Sequence, residues 1–183
     1  MIHMFLATGF EEIEALTTLD VLRRFGLEVC TVSVTSTRLI HGAHGIPVMV
    51  DTLLRKADLD VSECLILPGG MPGAKNLLAS DALCRCLVNH DQKGGLIAAI
   101  CAAPMILGKL DILNGRNATC YPGFEGMLKG AHCKKDLVVE DNNIITGKGP
   151  GAAMDFAFAI AAHFVDAERI KRMRYDMIIE EIL

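Results

Sequence analysis

Five consecutive apolar residues, Leu96-Ile97-Ala98-Ala99-Ile100, lie between two turn glycines, Gly94-Gly95, and the stretch Cys101-Ala102-Ala103-Pro104. A run this short with no polar face reads as a strand buried on both sides, which requires helices above and below it and a mainly parallel sheet. A helical pattern then runs from Ala102 to Leu110, so Cys101 falls at a strand-to-helix switch. The first N–H groups of a helix lack partners and carry the positive end of its dipole. The expectation is a thiol pKa below the free value of about 8.5. Ala99 and Ala103 are small, as a nucleophile elbow requires, although glycines are usual there and a serine at the centre. The alternative is an inert Cys101 that serves as a small hydrophobe in a binding module.

The rest of the chain repeats this alternation. An apolar run to Ala7 is followed by Ile13, Leu16, Leu19, Leu22 and Phe25 at helical spacing, and Gly26 closes that helix. Strands are expected over 28–34 and at Cys64-Leu65-Ile66-Leu67, with a small hairpin or excursion over 39–49 and a short irregular or helical link over 53–60. Helices follow near 74–78 and over 81–91. A brief strand and turn at 118–123 leads to a helical piece ending at Leu128. Leu137–Glu140 and Ile144–Thr146 flank a polar turn of hairpin length. A buried helix is expected over 152–164, and one or two charged helices over 166–183. The pattern is that of a doubly wound α/β sandwich, with one domain spanning 1–183.

Composition narrows the function. A net charge of −4 without a basic face argues against nucleic acid, and no apolar run reaches the roughly 18 residues that span a bilayer. The first residues lack a basic region and read as a strand rather than a signal peptide. Seven irregularly spaced cysteines point to reduced thiols and a cytoplasmic location. No nucleotide-binding glycine pattern follows a strand, and no histidine–cysteine set has zinc spacing, so no cofactor and no metal are expected.

Ligand sites in open α/β sheets lie at the carboxyl ends of strands. Thr8–Glu14, Pro68–Gly73, Cys101 and Gly147–Gly151 all meet that rule and form one expected rim. Glu11 and Glu12 read as carboxylates favoured by the start of the first helix, whereas Glu14 lies on the flank that can face the pocket. Burial beside a thiolate raises the pKa of Glu14 and lets it donate a proton. The N–H groups of Gly70 and Ala102 are candidate oxyanion donors, against the alternative of an ordinary turn at Pro68-Gly69-Gly70.

Thr8-Gly9-Phe10-Glu11-Glu12-Ile13-Glu14, Leu67-Pro68-Gly69-Gly70, Gly95 to Pro104 and Gly149-Pro150-Gly151 together resemble the ThiJ/PfpI superfamily, in the branch of the parkinsonism-associated protein deglycase and its bacterial relatives. The resemblance implies a flavodoxin-like three-layer sandwich that forms homodimers. It also implies Cys101 as nucleophile, Glu14 as its protonated partner, and Gly70 and Ala102 as backbone donors. The implied activity is that of a cofactor-independent thiol enzyme acting on small α-oxoaldehydes, as a glutathione-independent glyoxalase, or on their early protein adducts, as a deglycase. The other implied role is a redox-sensing or chaperone protein whose cysteine becomes a sulfinic acid. Gly69, Tyr121 and His44 are the candidate substrate contacts. Ala102 stands where the peptidase-like branch has a histidine, which disfavours peptidase activity. Tyr121 stands where many of the deglycase branch have a histidine, and His44 aligns loosely with an arginine of the substrate site.

Overall fold

The computed structural model describes residues 1–179. From the amino end the elements are β1 (Ile2–Leu6), α1 (Glu12–Arg24), β2 (Val29–Ser33), β3 (Leu39–His41), β4 (Pro47–Met49), β5 (Thr52–Leu53) and β6 (Cys64–Leu67). Then come α2 (Gly73–Leu78), α3 (Asp81–Gln92), β7 (Leu96–Ile100), α4 (Pro104–Lys109), β8 (Asn117–Ala118) and β9 (His132–Cys133). The chain continues through β10 (Val138–Asp141), β11 (Ile144–Gly147), α5 (Ala153–Ala161) and α6 (Ala167–Asp176). The expected terminal helix begins as α6, and the part of that expectation beyond residue 179 lies outside the described residues.

Seven strands form one sheet in the order β10-β11-β7-β6-β1-β2-β5, and every pair is parallel except β10 with β11. Helices α1 and α5 pack together on one face, while α2, α3 and α4 lie on the other. Burial on both faces explains why β1, β6 and β7 have no alternating polar positions; all their residues are buried. His3 is the one titratable group inside β1, and it bonds the Ser62 hydroxyl at 2.7 Å. The chain runs from β1 to β2 on one side and later enters β6 on the other. The strand order therefore reverses between β1 and β6, the crevice where open sheets hold ligands.

The sequence expectations hold for the main strands and for the hairpins β3–β4 and β10–β11. The helix after Cys101 is shorter than the pattern suggests. Residues 101–103 form a turn, and α4 spans only Pro104–Lys109, with the proline in its first turn, where a missing N–H does no harm. The pairing of β8 with β9 has no counterpart in the sequence reading, because two-residue strands carry no periodicity.

Candidate active site

Cys101 sits at the end of β7 with φ +65°, a left-handed conformation that disfavours a side-chain-bearing residue. Three neighbours hold it there. Its N–H donates to the Gly147 carbonyl at 2.8 Å, its carbonyl accepts the Tyr121 N–H at 2.9 Å, and Ala103 N–H closes the turn on Ile100 O at 3.0 Å. The strand ladder and the two adjacent loops thus enforce a sharp elbow, and Cys101 is only 8% exposed at its tip.

Glu14, on the first turns of α1, is fully buried and reaches the same point from β1's side of the crevice. Its Oε2 accepts the Gly69 N–H at 2.8 Å. Oε1 is sealed from solvent, and although the carboxyl and the Cys101 thiol interact, no donor satisfies that oxygen geometrically. Gly69 can be nothing larger. A Cβ there would stand 2.6 Å from Cys101 Cβ and 2.8 Å from Glu14 Oε2. Gly70 takes φ +86°, and its N–H and that of Ala102 act on the Cys101 sulfur in the direction that favours a thiolate. The Thr8–Glu14, Pro68–Gly73 and Gly147–Gly151 segments meet around this sulfur, tied by Glu11 N–H to Gly69 O at 3.0 Å and Gly73 N–H to Gly9 O at 3.0 Å.

Electrostatics corrects one expectation. Burial pushes Glu14 up to about 7. Burial, then the charge and hydrogen bond of an ionised Glu14, push the Cys101 thiol up to about 12, against the pull of the Gly70 and Ala102 N–H groups. The expected depression below the free value therefore fails while Glu14 is charged. The physical reason is that α4 is short and begins three residues later, so its dipole does not offset desolvation. Two groups this close cannot both ionise near neutrality, so they titrate as a pair that keeps one proton.

Glu11 and Glu12 also depart from their expected capping roles. Glu11 occupies the N-cap position of α1 but makes no side-chain cap. Glu12 turns to the β3–β4 hairpin instead. Its Oε1 accepts the His44 N–H at 2.7 Å and the Ile46 N–H at 3.4 Å, and its Oε2 meets His44 Nδ1 at 2.8 Å. These bonds outweigh burial and hold the Glu12 carboxyl below the usual range. Glu12, then Glu11, raises the His44 imidazole, which is largely exposed. His44 thus clamps the hairpin, and its bonds run to Glu12 rather than to Cys101 or Glu14. Ligand atoms of Glu11, Glu12 and His44 lie within 4.8 Å of one another, but the bonds to the hairpin occupy Glu12, which argues for a clamp rather than a metal centre.

Tyr121 contributes its N–H to the Cys101 carbonyl, while its ring lies half exposed against Gly149 and edge-on to Phe124 at 6.4 Å. A cavity of about 240 Å³ lies beside that ring. A larger one of about 430 Å³, lined by Arg85, His90 and Lys93, opens near the amino ends of β6 and β7, away from the elbow. All seven cysteines are free, and Cys64 is sealed within β6, where burial pushes its thiol far up. Among the described residues no helix is long and apolar enough to cross a membrane.

The family model for the DJ-1/PfpI family matches residues 1–163. Protein dj-1beta of Drosophila melanogaster is 33% identical over 176 residues, covering 95% of this chain and 94% of that protein. Glutathione-independent glyoxalase DJR-1.2 of Caenorhabditis elegans is 36% identical over 151 residues, or 82% of this chain and 80% of the other. The solved structure of oxidized Toxoplasma gondii DJ-1 superposes with a TM-score of 0.92 at 34% identity, covering 97% of each chain.

Proposed function

This chain belongs to the DJ-1/PfpI family, and from that premise we propose that it is a cofactor-independent thiol enzyme that converts small α-oxoaldehydes, free or as early protein adducts, to 2-hydroxy acids. The observation that carries the reading is the pairing of a left-handed Cys101 with a buried Glu14 whose pKa lies near neutrality. A glyoxalase from Caenorhabditis elegans among the relatives supports the reaction class.

Although burial raises the thiol further than the carboxyl, we place the single negative charge of the pair on the sulfur, because of the donors that face it. Two N–H groups, from Gly70 and Ala102, stabilise a thiolate, whereas Glu14 receives one N–H and has a bare Oε1. A proton on Oε1 turns that orphan acceptor into a donor. The thiolate adds to the aldehyde carbon, and the electron pair of the carbonyl moves to its oxygen, which takes the Glu14 proton to give a hemithioacetal. The same backbone donors stabilise that oxygen as charge develops. Glu14, now a carboxylate, removes the proton from the former aldehyde carbon and returns it to the adjacent carbon, while the hydroxyl proton on the first carbon passes to the oxygen of the second through the enediol. The product is a 2-hydroxy thioester. Water cleaves the thioester, releasing the 2-hydroxy acid and restoring the thiol.

The test is methylglyoxal without glutathione. Purified protein is expected to release lactate, and Cys101→Ser is expected to release none; equal output from the two would remove the reading. The same proposal includes a homodimer. Ile13, Leu39, Ile46 and Met49 are large apolar residues that are 43–62% exposed, and Leu39 and Met49 are cross-strand partners in the hairpin clamped by Glu12 next to Ile13. A second copy of the chain is the proposed cover for this face.

A further inference from the structure

The cavity beside Tyr121 has features that the transformation of a methyl-bearing substrate does not require. Tyr121, Pro122, Leu137, Pro150 and Ala152 line it, and its volume is about 240 Å³. That falls just below the roughly 300–1,000 Å³ of sites for drug-sized ligands, so it suits one ring or a branched alkyl group. Both walls hang from the backbone of Cys101. The Tyr121-Pro122 wall is fixed by the Tyr121 N–H on Cys101 O, and the Gly149–Ala152 wall continues β11, whose Gly147 carbonyl holds Cys101 N–H. Gly149 lets the Tyr121 ring rest on the turn, since a Cβ there would approach ring Cδ2 to 3.1 Å. Among the described residues the only charged side chain in the lining is Lys148, and its ammonium donates to the Lys135 carbonyl at 2.7 Å. Tyr121 and Leu137 remain 47% and 53% exposed, two large apolar surfaces in a cavity whose walls are tied to the Cys101 backbone.

We propose that this cavity is the subsite for the substituent of the oxoaldehyde, and that it selects an aryl or branched alkyl group over methyl. The inference rests on the role proposed for Cys101 and names the substrate class within it. An aldehyde carbon at the sulfur then directs its substituent along Tyr121 toward Leu137. A ring buried there loses its contact with water, whereas a methyl group leaves the cavity wet.

Phenylglyoxal and methylglyoxal, each compared by kcat/KM, read the preference. The expected ratio is at least about tenfold in favour of phenylglyoxal, the scale on which apolar pockets discriminate. Leu137→Asn is expected to lower that ratio about tenfold, and Leu137→Met, which keeps an apolar side chain of similar volume, to retain it. A second readout avoids turnover: rates of Cys101 alkylation by N-phenyliodoacetamide and iodoacetamide, each divided by its rate with free cysteine. An aryl preference that Leu137→Asn removes upholds the subsite even if neither oxoaldehyde is consumed, in which case only the glyoxalase reading falls. A ratio that Leu137→Asn leaves unmoved in both assays overturns the subsite, as does a Cys101 that neither reagent alkylates. Lactate release by the wild type then stands as separate support for the thiol chemistry.

Discussion

At the scale of the residue, the proposed functional unit is one proton between Cys101 and Glu14. A carboxyl whose pKa rises on folding holds a proton that the unfolded chain has already released, so stability declines as pH climbs from the ordinary value of 4.5 to about 7. Glu14→Gln removes that linkage. The variant is expected to melt above the wild type by a margin that widens over this pH interval, by on the order of 1–3 kcal/mol, which is several degrees for a chain of this size. Thermal melts at several pH values check it, and a constant margin would contradict the buried-acid account. The sequence places Glu14 and Cys101 on one rim, but the sign of the thiol shift is not legible there. It depends on desolvation by residues as distant along the chain as Gly69 and Gly147.

At the scale of the element, the site is a meeting of strand ends, and its tolerance is set by how closely β6 and β7 deliver their loops. Gly69 marks the tightest approach. Gly69→Ala puts a methyl group 2.8 Å from both Glu14 Oε2 and Ile100 O, with no flexible side chain able to yield for the carbonyl. The expected result is a loss of about 1–3 kcal/mol in denaturant titration, together with a fall in kcat/KM of about a hundredfold from misplacement of the thiol. Wild-type behaviour in both assays would mean that the loop is free to move. The strands themselves are readable in the sequence because uninterrupted apolar runs between turn glycines leave few alternatives. The clamp that Glu12 makes on the β3–β4 hairpin is not readable, since a carboxylate in a first helical turn has the same local signature whether it caps the helix or reaches a loop more than thirty residues away. The β8–β9 pairing and the left-handed Cys101 are likewise consequences of tertiary contacts.

At the scale of the whole molecule, the doubly wound order puts the crevice between β1 and β6, and the exposed apolar face of α1 and the hairpin lies on the same structure that Glu12 ties to the rim. Sedimentation equilibrium is expected to give twice the mass of the chain, and Ile46→Asp with Met49→Asp to shift it toward the monomer; a monomeric wild type would refute the proposed assembly. What all scales share is the claim that folding four separated segments around one sulfur makes it a nucleophile near neutral pH, with its proton lodged on Glu14. The rate of Cys101 alkylation by iodoacetamide as a function of pH tests that claim most directly. The account predicts an inflection near 7 in the wild type, displaced in Glu14→Gln. A rate that climbs only toward the alkaline range near 12, where an ionised Glu14 would hold the thiol, contradicts it.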